Sequence, residues 1–328
     1  MLNKIKVTPL AAESFGVRSM CTLVETPDVK VLLDAGVSLC PNRFGLPPHP
    51  IEFKTIDSLR KRIAEAADKA EVVTISHYHF DHHTPSYKDW LVNWTEANET
   101  ARQIYQAKTV LMKNPKEKIN ASQRQRAWLF QKTGGKYARA LETADGKTFV
   151  FGKDTLLGFS EPVFHGPDDS MLGWVVMALI ECGGERFMFA PDVQGPMSIH
   201  TLELIKAAEP QAIMIGGPPF YLSSFKVDEA QLQMGLRNLV GVVEAVPLTI
   251  LEHHALRDEQ WQQRTKQVYD AALKAGHTVM TAAEFAGQEN AFLESRRKRL
   301  YIDYPPSKEF EKWMHEGLTA KSTTKPPI

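Results

Sequence analysis

A layered α/β protein, with β-sheets covered by helices, is the fold class this sequence predicts. Three observations carry it. Short apolar runs rich in β-branched residues recur along the chain, helical periodicity is interleaved with them, and several runs end in Asp, Gly or His. A helix bundle would lack the first feature and an all-β barrel the second.

In chain order, strands are expected at "NKIKVTPL", "SMCTLVET" and "VKVLLDAG", followed by a helix at "DSLRKRIAEAADKA" and a strand at "EVVTIS". A further strand, "KTVLMK", is flanked by polar, helical stretches at 84–107 and 113–135, the latter containing "NASQRQRAWLFQKT". Strands at "GWVVMALIEC", "ERFMFAPD", "QAIMIGG" and "PLTILEH" then alternate with helices at "SIHTLELIKAA", "VDEAQLQMGLRNLVGVVEA" and "RDEQWQQRTKQVYDAALKAG". The Pro-rich stretch 41–52 reads as an ordered loop lying over another part of the molecule. We expect one domain over 1–285 with a helical insertion at about 84–135. A charged, partly helical extension over 286–328 follows, disordered after Gly317.

The 328 residues carry 39 basic and 39 acidic side chains, so no global field draws the chain to nucleic acid or anionic lipid. The opening "MLNKIKVTPL" lacks the apolar run of a secretory signal, and no window approaches a membrane span. A cytoplasmic protein without a membrane partner is expected. Cys21, Cys40 and Cys182 are too few and too dispersed for a disulfide framework or a cysteine zinc site, and read as free thiols.

The chemistry concentrates in "TISHYHFDHHTP", Thr74 to Pro85, four histidines and one aspartate within seven residues behind a β-branched run. His77 and His79 alternate at a strand end, so their rings point the same way and can converge on one cation. Asp81 and His82, in the following turn, can reach a second. Imidazole nitrogen and carboxylate oxygen suit zinc first, with manganese or iron possible. His83 falls outside this register and reads as a supporting or solvent-facing ring. More donors must come from later strand ends, where α/β folds place their sites. His165 in "VFHGPDDS", Asp192 in "FMFAPDVQG" and His253 or His254 in "TILEHHALRD" meet that condition; Asp168 and Asp169 follow a His rather than a strand.

H-x-H-x-D-H, a distant His, an Asp after an apolar strand and a final His together resemble the metallo-β-lactamase-fold superfamily over about residues 1 to 280. "GVRSMCTLVETPDVKVLLDAG" is similar to its opening strands, with Asp34 at the position of an early structural aspartate. The Pro-rich segment, "SHYHFDHHTP", "GGPP" and "LEHHALRD" resemble one uncharacterised, mostly archaeal group of predicted metallo-hydrolases within it. The resemblance implies an αββα sandwich with two divalent metals at one edge. It implies that His77, His79 and His165 hold one metal, that Asp81, His82 and a late histidine hold the other, and that Asp192 bridges. Which of His253 and His254 is the ligand stays open.

Two cations sharing an oxygen lower the pKa of bound water, giving a hydroxide nucleophile at neutral pH. Hydrolysis of an ester-type bond (phosphodiester, lactone or thioester) in a small-molecule substrate is the expected reaction, with Asp81 both ligand and proton acceptor and Asp192 essential to catalysis. The rival readings are a non-hydrolytic ligand sensor on the same fold and a diiron oxidoreductase; the latter carries Glu where this chain has His79. The basic residues Lys113, Lys116, Lys118, Arg124, Arg126 and Lys132 read as a solvated helix face before a phosphate site. Trp90, Trp94 and Trp128 read as core before pocket lid, and Arg18 and His49 as structural. Gly216 to Pro219 should form a rigid loop edge, with Phe220 and Tyr221 shaping a pocket wall.

Overall fold

The computed structural model describes residues 2–223 and 227–328. Two mixed sheets face each other. The first runs in chain order: β1 (Lys6–Pro9), β2 (Thr22–Glu25), β3 (Lys30–Leu33), β4 (Val72–Ile75), β5 (Thr109–Met112) and β6 (Ala140–Thr143). Its first three strands are antiparallel, and β3 to β6 are parallel. β7 (Thr148–Phe151) and β8 (Thr155–Phe159) open the second sheet, and a small ribbon of β9 (Val163–Phe164) and β10 (Trp174–Val175) follows. β11 (Ala178–Cys182), β12 (Glu185–Ala190), β13 (Ala212–Gly216), β14 (Leu248–Glu252) and β15 (Thr278–Met280) complete that sheet in the order β15-β14-β13-β12-β11-β8-β7.

The period-2 alternation of strands builds the layers. Phe187, Phe189, Met214 and Ile250 join Val24, Leu33, Val73 and Leu111 of the first sheet in one buried cluster, so these faces meet between the sheets. Their neighbours Met188, Ala190, Ile213, Ile215 and Leu251 point the other way, into a second cluster with Leu236, Leu239 and Val243 of the helix Glu229–Ala245. Each fully buried Phe or Ile of this kind contributes roughly 1.5–3 kcal/mol. On the first sheet's outer side, the helix Pro50–Lys69 buries Phe53, Ile56 and Ile63. The layering is the expected αββα sandwich.

Several boundaries differ from expectation. The stretch 84–135 is not an insertion: β5 sits inside the first sheet between β4 and β6, and only the flanking helices Ala97–Tyr105 and Ala121–Lys132 lie outside it. The apolar, fully buried Val110 and Leu111 require that inner position. The tail is not peripheral either. Phe310 and Trp313 pack on Phe53, and Arg297 makes a buried ion pair with Glu52. Beyond Gly317 the chain forms the helix Leu318–Thr323, tied down by a 2.8 Å bond from the Trp90 amide to the Ser322 carbonyl. Residues 50–52 belong to a helix rather than to the Pro-rich loop; His49 caps it through Ile51 N, and Glu52 reaches back to His49 N. Among the described residues no helix is long and apolar enough to cross a membrane.

Candidate metal centre

β4 is buried along its whole length, as an inner parallel strand should be, and it delivers Ser76 and His77 at its carboxyl end. The chain then turns tightly, with His82 N and His83 N both donating to His79 O at 3.0 and 3.1 Å. The turn after β3 passes so close that a Cβ on Gly36 would overlap the backbone nitrogens of His82 and His83. Asp34, Asp192 and His253 each follow a strand and each adopt a left-handed backbone, φ 47°, 51° and 65°. Holding non-glycine residues there costs about 1–3 kcal/mol each, a strain typical of functional sites.

These turns converge on Asp192. Its Oδ2 lies 3.1 Å from His77 Nε2, 2.9 Å from His165 Nε2, 3.4 Å from His82 Nε2 and 3.9 Å from His79 Nδ1. Its Oδ1 lies 3.1 Å from His253 Nε2 and 3.5 Å from His254 Nδ1. His253 Nε2 is also 3.4 Å from both Asp81 Oδ2 and His82 Nε2. Two donor sets result, His77, His79, His165 and Asp192 on one side, Asp81, His82 and His253 on the other, with two further groupings, Asp192, His253 and His254, and Asp34, His77 and His82.

A ring of supporting groups holds the donors. Asp34 accepts from His82 Nδ1 at 2.8 Å, from Ser76 N at 2.8 Å and from the Ser76 hydroxyl, which in turn contacts His77 Nδ1 at 3.0 Å. Gln194 faces His165 Nδ1 at 3.3 Å. The Arg257 guanidinium lies 3.1 and 3.2 Å from the two ring nitrogens of His253, and its Nε donates to Glu13. These contacts leave Nε2 of His77, His82 and His165 directed at Asp192.

Burial alone would raise the Asp192 carboxyl, but the His253, His82, His254 and His165 rings outweigh it and hold it well below the usual range. Burial would likewise depress His82, yet Asp192, Asp34 and Asp81 push it well above an ordinary histidine. His77 and His254 are depressed, chiefly by burial. The compensation is incomplete: buried His165 Nε2, His254 Nδ1 and Asp192 Oδ1 have no hydrogen-bond partner. Orphaned polar atoms of this kind are rare in folded proteins, and imidazole nitrogens and a carboxylate oxygen converging without hydrogen-bond partners fit a divalent cation.

All eight expected site residues are therefore brought together, including both His253 and His254. His83 lies behind them, fully buried against Tyr78, Phe80 and Phe130, with Nδ1 on His79 O; burial pushes its ring down to about 3. Asp168 and Asp169 line the rim, exposed and outside the donor sets. His49 is absorbed in its helix cap, and its Nε2 meets Tyr304 O. Trp90 and Trp94 are buried in the core, whereas Trp128 is exposed. Lys113 is buried against Asp145 at 2.7 Å. Gly216 and Gly217 leave the end of β13 beside Asp192 and Ala255. Ser76, Gln194, Arg257 and Glu13 were not anticipated. The first three stand one to four residues from a donor, whereas nothing in the sequence marks Glu13.

Above the donors opens a cavity of about 950 Å³, lined by His79, Asp81, His165, Asp192 and His254, by Arg18, Arg43, Arg126 and Arg257, and by Tyr221.

No family model matches the sequence. The chain is 37% identical over 313 residues to a UPF0282 protein of Korarchaeum cryptofilum, covering 95% of this chain and 100% of that one. It is 42% identical over 296 residues to a UPF0282 protein of Methanopyrus kandleri, covering 90% and 99%. Among solved structures it is similar to a metal-dependent hydrolase of the beta-lactamase superfamily, with TM-score 0.47, 12% identity and coverage of 85% of this chain and 96% of that chain. It is also similar to CmlA, a diiron beta-hydroxylase from Streptomyces venezuelae, with TM-score 0.47, 12% identity and coverage of 86% and 53%.

Proposed function

The chain belongs to the UPF0282 family, and we propose that it is a metal-dependent hydrolase acting on an ester-type bond of a small molecule. The observation that carries this reading is the convergence of six histidines and two aspartates from several strand ends, with three of their buried polar atoms left without hydrogen-bond partners. His77, His79 and His165 would hold one cation, and Asp81, His82 and His253 the other. Asp192 presents Oδ2 to the first set and Oδ1 to His253, which supports a bridging role. His254, on the cavity side, would face substrate or complete the second set.

Bound divalent cations supply activated water and polarisation of a carbonyl or phosphoryl oxygen. The chain's own residues do the rest. Asp34 and Ser76 fix the rings of His82 and His77, Arg257 holds His253, and Asp81, partly open to the cavity, would accept a proton. The imidazole-rich donor set favours zinc, with manganese and iron as alternatives. Cavity volume suits a small-molecule substrate. Three unpaired cysteines support a cytoplasmic setting.

The test is metal content by mass spectrometry on purified wild type and Asp192→Ala, paired with turnover on phosphodiester, lactone and thioester substrates. We expect close to two metal equivalents in the wild type, and loss of one equivalent and of turnover in the variant. A folded wild type that neither carries nor takes up metal overturns the proposal. Full metal occupancy with no turnover across the panel would favour ligand sensing instead.

A further inference from the structure

Four arginines line the cavity over the donor cluster, and their pairing is unequal. Arg18 is paired with Glu294 through two 2.6 Å bonds. Arg257 is satisfied by Glu13 and by the Tyr221 hydroxyl at 3.2 Å. Arg43 and Arg126 are not. Arg43 donates from Nη2 to the Arg257 carbonyl at 3.1 Å, but its Nε is buried without a hydrogen-bond partner. Glu294 Oε1 lies 3.9 Å from that nitrogen, a loose ion pair beyond hydrogen-bond reach, and accepts its short bond from Arg18. Arg126 makes one long bond, 3.4 Å to the Tyr78 carbonyl, and no ion pair among the described residues.

Aromatic faces hold both guanidiniums in place: Arg43 over Phe44 and Tyr221 at 4.6 and 4.9 Å, Arg126 over Phe80 at 4.8 Å. Stacking fixes a guanidinium while leaving its in-plane donors free. Each arginine is also one contact from the donors. Phe80 separates His79 from Asp81 in the chain, and Arg43 bonds the backbone of Arg257, which embraces His253. Half-buried guanidiniums with spare donors on a cavity wall are free to exchange water for the oxygens of a ligand. The rim carboxylates Asp168 and Asp169 are solvent-exposed and bond neither arginine.

We propose that Arg43 and Arg126 bind an oxoanion group of the substrate, phosphate or carboxylate, and so restrict this site to anionic esters. This rests on the hydrolase reading above for the bond that is cut, but not for the binding itself. Planar guanidiniums donate two parallel bonds to either oxoanion, which a lysine cannot reproduce. A cavity of about 950 Å³ leaves room for a larger body beyond the oxoanion, against Leu39, Val92 and Leu222.

The experiment compares purified wild type with Arg43→Met, Arg126→Met and Arg126→Lys, with metal content measured on each sample. Probes are phenyl phosphate, benzoate and the uncharged benzyl alcohol. Binding is read by calorimetry and by protection of Cys40, which lines the cavity while Cys21 and Cys182 are buried, against iodoacetamide. Both anions should bind and slow Cys40 alkylation, benzyl alcohol should not, and the tighter anion identifies the oxoanion. Each Met variant should bind the anions about tenfold or more weakly at unchanged metal content and unfolding midpoint. Arg126→Lys should recover part of the loss. Arg126→Met, which forfeits the long bond to Tyr78 and the charged contact with Phe80 but no ion pair among the described residues, guards against misfolding. Wild-type affinity in both Met variants, or equal protection by benzyl alcohol, overturns the inference. Arginine-dependent anion binding in a protein that takes up no metal would support it while removing the hydrolase reading. Arginine-independent binding in a metal-replete protein would remove this inference alone.

Discussion

Replacing Asp34 by Asn tests how the histidines are aimed, because it keeps size and shape while removing the carboxylate charge and one acceptor behind His82. Asp34 is fully buried with φ 47°, a backbone that Asn tolerates as readily as Asp, so neither shape nor strain is disturbed. One carboxylate oxygen accepts from Ser76 N; the other accepts from His82 Nδ1 and the Ser76 hydroxyl. An amide must place its NH₂ at one of these positions. At the first it confronts a backbone N–H and leaves a buried donor unsatisfied. At the second it forces His82 to accept at Nδ1, so the proton moves to Nε2, the atom aimed at Asp192.

Either outcome forfeits a buried hydrogen bond at about 1–3 kcal/mol. Loss of a partner behind a metal-binding histidine typically weakens metal affinity about 10- to 100-fold, or roughly 1.4–2.7 kcal/mol, in the same range. The expected result in a chelator-competition titration of Asp34→Asn is one metal equivalent weakened by that factor. The equivalent at His77, His79 and His165, which feels Asp34 only through Ser76, should change less. Wild-type affinity for both equivalents would refute the orienting role, and equal weakening of both would refute its direction toward His82.

Metal affinity should rise with pH. Burial opposes protonation of His82 and His253, but neighbouring carboxylates hold both above the ordinary histidine value, so metal binding competes with protons at these rings. Affinity should therefore gain up to about tenfold per pH unit for each proton released, and a flat profile in the same titration would contradict this. His83→Gln should retain both metals and lose roughly 1–2 kcal/mol of stability in urea unfolding, because the buried ring serves the His79 carbonyl rather than a cation. Loss of metal in that variant would make His83 part of the centre. Arg297→Ala should destabilise by about 3–5 kcal/mol in urea unfolding by stranding the buried Glu52 carboxylate. A change below about 1 kcal/mol would show that the tail is not integral.

Inner strands were legible because parallel strands buried on both faces are written as continuous β-branched runs, as in "EVVTIS" and "QAIMIG". β6, β7 and β8 were not. "ALET" and "TFVF" lie at sheet edges and have no fully buried residue, a pattern that short polar loops share. β9 pairs with β10 over two residues each, too short to leave any period.

The donor types were determined by the sequence alone: a strand-end H-x-H-x-D-H motif, and later His and Asp residues after apolar runs, because the chemistry of a metal ligand is fixed by residue type and strand-end position. Tertiary structure decided how they meet. His77 and Asp192 lie far apart in the chain and belong to different sheets, yet their atoms are 3.1 Å apart. Left-handed turns at Asp34, Asp192 and His253 aim the side chains, and such turns are stabilised by long-range packing that no local pattern records. The arginines separate for the same reason. Arg18 and Arg257 are neutralised by Glu294 and Glu13, whereas Arg43 and Arg126 are left with donors to spare. That difference depends on which carboxylates the fold carries from distant segments to the cavity wall, and so it exists only in three dimensions.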